Sequence, residues 1–236
     1  MKKVLGCIKK AVLNYDMIQD GDVIGIGLSG GKDSMLLLKA LHLFKNFSPV
    51  PFELKAITID MGFTDFDVNS ITKFCNEFNI EHIIEKTRIG KVIFEDQHYK
   101  NPCGMCARMK RARLNKSCLE NNINKLALGH NADDAIESLI MSMSYESRIR
   151  TFLPLTYMDK SKVHLIRPLI YAFGKDILLA VSKNNIPIIA NPCPADKIGS
   201  RAYIKSLLSH MEKEIPLIKK NLLASLEKGN QIEIWK

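Results

Sequence analysis

The sequence predicts an α/β fold: a doubly wound, mostly parallel five-stranded sheet with helical additions at both ends of the chain. Two observations predict it. Short apolar runs typical of buried strands alternate with longer amphipathic stretches of helical period. A glycine-rich turn at residues 27–34 directly follows the first of these runs and precedes a helix. Because alternating strands and helices build βαβ units, we expect parallel strands in the order 3-2-1-4-5, with helices on both faces.

The predicted elements follow one another regularly. An amphipathic helix at 1–18 precedes the first strand. Strands are predicted at 22–28, 53–60, 80–85, 124–129 and 163–167. Helices are predicted at 33–47, 65–79, 104–121, 132–145 and 175–184. Residues 148–162 are predicted to form a polar, mobile loop, and the tail 199–236 to be helical and basic, with Pro216 dividing it. Since no linker or repeat divides the chain, we expect one domain, 1–236, with a core at about 20–190.

Composition indicates a partner that is a polyanion. Lysine and arginine total 34 against 25 acidic residues, a formal charge of +9. Such a surplus favours nucleic acid, although a lysine-rich surface without a partner is the alternative. No apolar run is long enough to cross a bilayer, and no signal peptide opens the chain. We therefore expect a cytoplasmic protein with no membrane attachment.

The glycine-rich turn has the properties of a phosphate-binding loop. It reads Ser-Gly-Gly-Lys-Asp-Ser from Ser29 to Ser34. Between a strand and a helix start, unpaired N–H groups and the helix dipole favour an anion. A Walker A loop is excluded, because Ile26 stands where its first glycine is required and Asp33 follows Lys32 in place of Ser or Thr. Without a ligand, Asp33 or Ser34 would act as a helix cap.

A dinucleotide fingerprint is a weaker alternative for the same turn. Gly25, Gly27 and Gly30 fit the spacing G-x-G-x-x-G, and Asp60 ends the second strand where a ribose-binding acid would stand. This spacing arises easily by chance. We therefore retain the longer string around Lys32 as the more specific signal.

A second polar segment is expected to face this loop. Gly129-His130-Asn131-Ala132-Asp133-Asp134 follows the fourth strand, which neighbours the first in the predicted order. Ligands of such sheets bind outside the carboxyl ends of the strands at this switch point. One of the two acids is expected to cap the next helix, and the other to serve nucleotide and Mg²⁺.

The six cysteines stand at positions 7, 75, 103, 106, 118 and 193. Cys103 and Cys106 form a C-x-x-C near a helix start, where thiols have a lowered pKa and bind soft metals. A structural zinc site requires four ligands, and no second C-x-x-C exists. Cys75 and Cys118 fit the apolar faces of helices, whereas Cys193 stands between two prolines in an irregular segment. A redox dithiol is the alternative for the close pair.

The string at Ser29–Ser34 resembles the PP-loop of ATP pyrophosphatases, enzymes that bind ATP and release pyrophosphate while transferring AMP. The resemblance implies the Rossmann-like fold of that family. It also implies ATP-binding residues at Ser29, Gly30, Gly31, Lys32, Asp33, Ser34, Asp60, Gly129, His130 and Asp134. In it Lys32 adds positive charge, Asp33 places Mg²⁺, and Asp60 lies by the adenosine. Together with Asp133, Lys32 and Asp33 are the expected catalytic groups of the nucleotide site.

Taken together, the motifs resemble those of the cluster-dependent tRNA 2-thiocytidine synthetases. The resemblance runs from about residue 20 to 208 and includes Pro-Cys-x-x-Cys, Gly-His-x-x-Asp-Asp, Ile166-Arg167-Pro168-Leu169 and the late Pro-Cys. It implies a [4Fe-4S] cluster on Cys103, Cys106 and Cys193, with Cys103 and Cys106 also catalytic, and a tRNA cytidine as target. The sequence departs from the family where Ala195 and Asp196 stand instead of a second late cysteine, and it is short for the family.

A basic helix follows the C-x-x-C and carries Arg108, Lys110, Arg111, Arg113 and Lys116. A charge run is usually a solvated face, but beside these motifs it indicates a track for the RNA backbone. The expected partners are tRNA and a sulfur donor, either a cysteine desulfurase or inorganic sulfide, and the sequence permits a homodimer. The expected reaction is adenylation of a base carbonyl followed by sulfur transfer. The alternatives are a tRNA lysidine synthetase, which needs no cysteines, and a zinc-bound RNA-binding module without catalysis.

Overall fold

The computed structural model describes residues 1–96, 99, 101–195 and 199–227. The helices are α1 Lys2–Tyr15, α2 Lys32–Phe44, α3 Val68–Asn76, α4 Ile89–Lys91, α5 Pro102–Glu120, α6 Ala132–Glu146, α7 Gly174–Lys183, α8 Ser200–Glu214 and α9 Ile218–Glu227. The strands are β1 Asp22–Gly27, β2 Phe52–Asp60, β3 Glu81–Lys86, β4 Lys125–Ala127, β5 Leu155–Met158 and β6 Val163–Ile166. A 3-10 turn, Lys45–Phe47, extends α2, and a π-helical turn, Val92–Asp96, extends α4. Residues 228–236 of the predicted helical tail lie outside the described residues.

One sheet organises the fold, with the strand order β3-β2-β1-β4-β6-β5. The pairs β2–β3, β1–β2, β1–β4 and β4–β6 are all parallel. These five strands have the predicted order 3-2-1-4-5, which confirms the doubly wound arrangement. The order reverses between β1 and β4, so their carboxyl ends open a crevice on one edge of the sheet.

The prediction of an irregular loop over 148–162 is wrong in part, because β5 lies within it. Leu155–Met158 pairs antiparallel with β6 and makes a sixth strand in the described part of the sheet. This strand has no alternation of apolar and polar residues to reveal it. Its position depends instead on tertiary bonds, since the backbone N–H of Arg167 donates to Pro154 O at 3.0 Å. Pairing with a neighbour overrides weak local propensity here.

Apolar side chains cover both faces of the sheet. Ala127 of β4 points into the larger cluster formed with α1, α2, α6 and α7, whereas the adjacent Leu126 points into a smaller cluster with Cys118 of α5. Successive strand residues face opposite sides, so this division follows from the strand geometry. Cys75 and Cys118 are fully buried, as their helical spacing predicted.

The C-terminal helices pack on the sheet's helical layer rather than extending away from it. Leu223 of α9 and both Ile204 and Leu208 of α8 belong to the larger cluster. Pro216 lies between α8 and α9, as predicted. In the residues that the structure describes, no helix combines the length and apolarity required to cross a membrane.

Candidate active site at the carboxyl edge of the sheet

The Ser29–Ser34 loop closes directly onto the start of α2. Gly30 has φ +77°, a left-handed conformation that favours glycine, and Gly31 is the N-cap of α2. The Ser29 and Ser34 hydroxyl oxygens stand 3.2 Å apart, and the Ser34 hydroxyl donates to Gly31 O at 2.9 Å. Because the cap is a glycine, neither Asp33 nor Ser34 caps the helix. No side chain that the structure describes caps the helix, so the first N–H groups of α2 are available to an anion.

Lys32 and Asp33 neutralise each other at the mouth of the loop. The Lys32 Nζ lies 2.6 and 2.7 Å from the two Asp33 carboxylate oxygens, and both side chains are 30% exposed. Asp33 also accepts a hydrogen bond from Asn131 Nδ2 at 3.0 Å. Phosphate oxygens would compete with Asp33 for Lys32, which would leave a carboxylate free for a hard cation.

The segment after β4 forms the opposite wall of this site. A Cβ atom on Gly129 would stand 3.0 Å from the Asp33 carbonyl carbon and 3.1 Å from Ser34 N, so the close approach depends on glycine. The next helix, α6, starts with a capping box: Asn131 caps it, and Asp134 Oδ2 accepts from Asn131 N at 2.9 Å. The expected capping role therefore falls to Asn131 and Asp134. The contact of Asn131 with Asp33 was not anticipated, although an Asn followed by an acid three residues later signals this cap.

The Asp133 carboxylate has its polar partners on two other helices. It accepts from Gly174 N, at the start of α7, at 2.6 Å and lies 3.1 Å from Lys219 Nζ of α9. These bonds join three helices. Asp133 therefore connects these helices in the ligand-free protein, and its catalytic role stays a prediction.

Asp60 is used by the backbone beside it. Its carboxylate accepts from Gly62 N at 2.9 Å, and its carbonyl accepts from Thr87 N at 2.8 Å. The residue ends β2, next to β1, so it does border the crevice as predicted. Contact with an adenosine stays a prediction.

His130 is a neutral imidazole in an electropositive setting. Burial, and then the charges of Arg167, Arg201 and Arg111, lower its pKa to about 4. Its Nδ1 is buried and finds no hydrogen-bond partner among the described residues. The ring lies 5.1 Å from that of Phe152.

Arg167 is the second buried basic group at this edge and directly follows β6. It is 5% exposed, its guanidinium lies 4.8 Å from the centre of the Phe152 ring, and Nη1 donates to Leu153 O. Burial, and then the charge of Arg111, lowers its pKa to about 10. Its Nε is buried without a partner in the described part of the chain. The sequence named Arg167 in a motif but gave it no role.

The three candidate thiols lie in one region near this crevice. Cys103 is exposed in the first turn of α5, Cys106 is buried against Ile89 and Ile93, and Cys193 is half-buried. Burial raises the pKa of Cys106, Lys110 lowers it, and both Cys193 and Cys103 raise it. Cys193 is therefore close enough for its charge to act on Cys106. Among the described residues, however, no three Cys, His or acidic side chains are close enough together to hold a metal ion.

The segment that carries Cys193 is bonded to the nucleotide loop. Ile189 N donates to Gly30 O at 2.9 Å, and a Cβ on Gly30 would stand 2.8 Å from Ile189 Cβ. Lys39 of α2 also donates to Asn184 O at 3.2 Å. This contact was not visible in the sequence, because no local pattern pairs residues so far apart.

The basic helix α5 divides into two parts. Arg113 donates through Nε to the buried Glu85 carboxylate at 2.9 Å, and Lys116 lies 3.6 Å from Glu120. Arg108, Lys110 and Arg111 form no ion pair within the described residues. The first half of α5, beside the C-x-x-C, therefore carries the charge available to a polyanion.

Comparisons with known proteins identify the family that has this architecture. Residues 5–211 match the PP-loop domain family. The chain is 34% identical to the tRNA-cytidine(32) 2-sulfurtransferase of Geobacter sulfurreducens, over 95% of this chain and 89% of that protein. It is 36% identical to the protein of the same name from Geotalea daltonii, over 95% and 90%.

A solved structure is similar over nearly the whole chain. The U34-tRNA thiolase NcsA from Methanococcus maripaludis, with its four-iron, four-sulfur cluster, superposes with a TM-score of 0.80 at 25% identity, over 98% of this chain and 79% of that one. The NH3-dependent NAD synthetase from Campylobacter jejuni shares the fold, with a TM-score of 0.51 at 17% identity. The chain therefore belongs to the PP-loop family and, within it, to the tRNA-cytidine 2-sulfurtransferases, which are enzymes.

Proposed function

We propose that this protein replaces the C2 oxygen of a tRNA cytidine with sulfur, at position 32 as in the names of its relatives, at the expense of ATP. The observation that carries the proposal is the bond between the Cys193 segment and the PP-loop, Ile189 N to Gly30 O at 2.9 Å. It joins the expected sulfur-handling residues to the nucleotide site. A lysidine synthetase would have no use for such thiols.

ATP would bind with its phosphates against the loop and the start of α2. The backbone N–H groups there, with Lys32, neutralise the phosphate charge. Lys32 would leave Asp33 for a phosphate oxygen, and Asp33, still held by Asn131 Nδ2 at 3.0 Å, would hold Mg²⁺.

The cytidine oxygen would then attack the α-phosphate. A bond forms between the base O2 and the α-phosphorus, and the bond to the bridging oxygen breaks as pyrophosphate leaves. Sulfide adds at C2, O2 departs with the phosphate as AMP, and the sulfur-bound proton is lost to solvent. Cytidine, ATP and hydrogen sulfide thus give 2-thiocytidine, AMP and pyrophosphate, with no net oxidation.

Cys103, Cys106 and Cys193 would hold the iron–sulfur cluster. Burial first, and then the charges of Cys193 and Cys103, raise the pKa of Cys106, and a bound metal centre would favour the thiolate forms. The thiols would have to move closer together to hold it, since they do not form a metal-binding group within the described residues. When bound, the cluster would supply a place for sulfide beside the nucleotide site. A cysteine desulfurase or inorganic sulfide would provide the sulfur.

The tRNA would approach along the first half of α5. Arg108 and Arg111 are exposed there, and Lys110 lies close enough to Cys106 to lower its pKa. Phosphate contacts of this kind position RNA without reading its bases. Arg113 is excluded from this set because Glu85 holds it.

The function is tested by mass spectrometry of tRNA nucleosides from cells with and without the gene. We expect 2-thiocytidine to disappear and to return with the wild-type gene. Cys103→Ser should not restore it, yet the purified variant should bind ATP as the wild type does. A Cys75→Ser variant is the matched control, because this buried thiol lies outside the crevice. Unchanged 2-thiocytidine in the deletion strain would refute the proposal.

A further inference from the structure

Three arginines from three separate elements act electrostatically on His130, and one of them, Arg167, shares the Phe152 ring with it. Arg111 is in α5, Arg167 follows β6, and Arg201 is in the first turn of α8. All three charges act on the buried imidazole and lower its pKa. The three guanidinium groups also repel one another, so anions nearby stabilise the arrangement, as Asp134 and Glu137 do beside Arg201.

Two buried polar atoms of this cluster have no hydrogen-bond partner in the described part of the chain. Arg167 is 5% exposed, yet its Nε is buried with no partner among the described residues, and so is His130 Nδ1. Buried polar atoms without partners cost free energy and are rare in native proteins. Both atoms belong to side chains in contact with Phe152, with the His130 ring at 5.1 Å and the Arg167 guanidinium at 4.8 Å from its centre. Both side chains therefore lie beside the same ring.

Arg201 is held loosely enough to take part. Its Nη1 lies 3.7 Å from Asp134 Oδ1 and its Nε lies 3.9 Å from Glu137 Oε2, both longer than a hydrogen bond. The side chain is 50% exposed. The two acids therefore neutralise the charge of Arg201, but they do not occupy its N–H groups with hydrogen bonds.

The cluster lies directly beside the nucleotide loop. His130 stands between Gly129, which packs against Asp33 and Ser34, and Asn131, which donates to Asp33 at 3.0 Å. An anion among the arginines would be at the side of the crevice nearest the start of α2. The chemical class that suits guanidinium donors is phosphate, which accepts several N–H bonds at once.

We propose that Arg111, Arg167 and Arg201, with His130, form a phosphate-binding site separate from the PP-loop itself. The position beside α2 favours the α-phosphate of the nucleotide, which becomes the phosphate of AMP. A backbone phosphate of the RNA is the other source of the same chemistry. The inference rests on the proposed function in one respect: it identifies the bound phosphate with the one that is transferred to the base.

The test compares affinities for AMP, for adenosine and for an anticodon stem-loop RNA, using the full chain. Arg111→Gln removes an exposed side chain, and Arg167→Lys keeps the charge but removes the buried Nε donor. Loss of one charge-assisted bond should weaken AMP binding roughly 10- to 100-fold and leave adenosine binding unchanged. Arg150→Gln is the control, because Arg150 is an exposed arginine paired with Glu146 at 2.8 Å. Thermal unfolding of each variant identifies any loss of fold.

The outcomes separate the two phosphate sources. For Arg167→Lys, weaker AMP binding with unchanged RNA affinity assigns the site to the nucleotide, and the reverse assigns it to the RNA backbone. Arg111→Gln should weaken RNA binding in either case, because Arg111 also lies on the RNA track of α5, so this variant is read through its AMP affinity alone. If neither affinity changes, or if Arg150→Gln has the same effect, the site does not exist. AMP binding is measured without RNA or sulfide. The phosphate site can therefore be confirmed even if the deletion strain keeps its 2-thiocytidine, a result that would refute only the proposed function.

Discussion

Replacing Arg113 with methionine should damage stability and leave RNA binding intact, in contrast to its neighbours on α5. Glu85 is only 9% exposed, and both Nε and Nη2 of Arg113 donate to its Oε2 atom, with Nε at 2.9 Å. The change Arg113→Met would leave a carboxylate buried without a partner. Breaking a fully buried pair costs about 3–5 kcal/mol.

The expected loss is smaller than that limit, since the Arg113 side chain is 32% exposed and solvent screens its charge. We expect about 2–3 kcal/mol, a large share of the stability of a typical domain. Urea unfolding followed by circular dichroism measures it. Adding Glu85→Gln to Arg113→Met should recover part of the loss, because an amide is less costly to bury than a charge.

Arg108→Met is the matched comparison on the same helix. It should change the free energy of unfolding by less than about 0.5 kcal/mol, as surface substitutions do, and should weaken tRNA binding in gel-shift assays. The reasoning is refuted if Arg113→Met is as stable as the wild type but binds tRNA more weakly. Arg113 would then belong to the RNA track after all.

Two further predictions concern the crevice. Gly30→Ala should abolish ATP binding measured by calorimetry, because a Cβ on Gly30 would stand 2.8 Å from Ile189 Cβ. Gly21→Ala is the control, since Gly21 also has a positive φ but has open space around it, and it should leave ATP binding intact. Equal effects of the two changes would show that backbone strain alone is responsible. The pKa of His130 is lowered to about 4 in the folded protein, from about 6.5 in the unfolded chain. Between these two pH values the unfolded chain binds a proton at His130 and the folded protein does not. Stability should therefore fall as pH drops through that window, and His130→Asn should flatten the fall in urea titrations; an unchanged slope would contradict the burial of a neutral imidazole.

Much of the fold could be predicted because its signals are local. The strand runs around Ile24 and Ile57 are short and apolar, and the glycine turn at Gly30 separates the first from a helix of clear period. The parallel order of the five strands then follows from connection rules. The edge strand β5 could not be predicted, since its pairing with β6 depends on a partner and not on its own residues.

The site was only partly accessible from sequence for a related reason. The loop at Lys32 and the thiols at Cys103 and Cys106 carry recognisable spacing. The ion-pair partners of Asp133 and Arg113, however, are Lys219 and Glu85, which lie far away along the chain. Nothing in a local charge pattern distinguishes an acid that binds a ligand from one that joins helices.

The bond from Ile189 to Gly30 limits how far Cys193 can travel. Cys193 is four steps along the chain from Ile189, and an extended chain gains at most about 3.6 Å per step, so the thiol residue stays within roughly 14 Å of its anchor. A longer or shorter insert between these positions would alter that radius directly. The tether allows the thiol to adjust toward Cys103 and Cys106 while confining whatever it carries to the neighbourhood of the bound nucleotide.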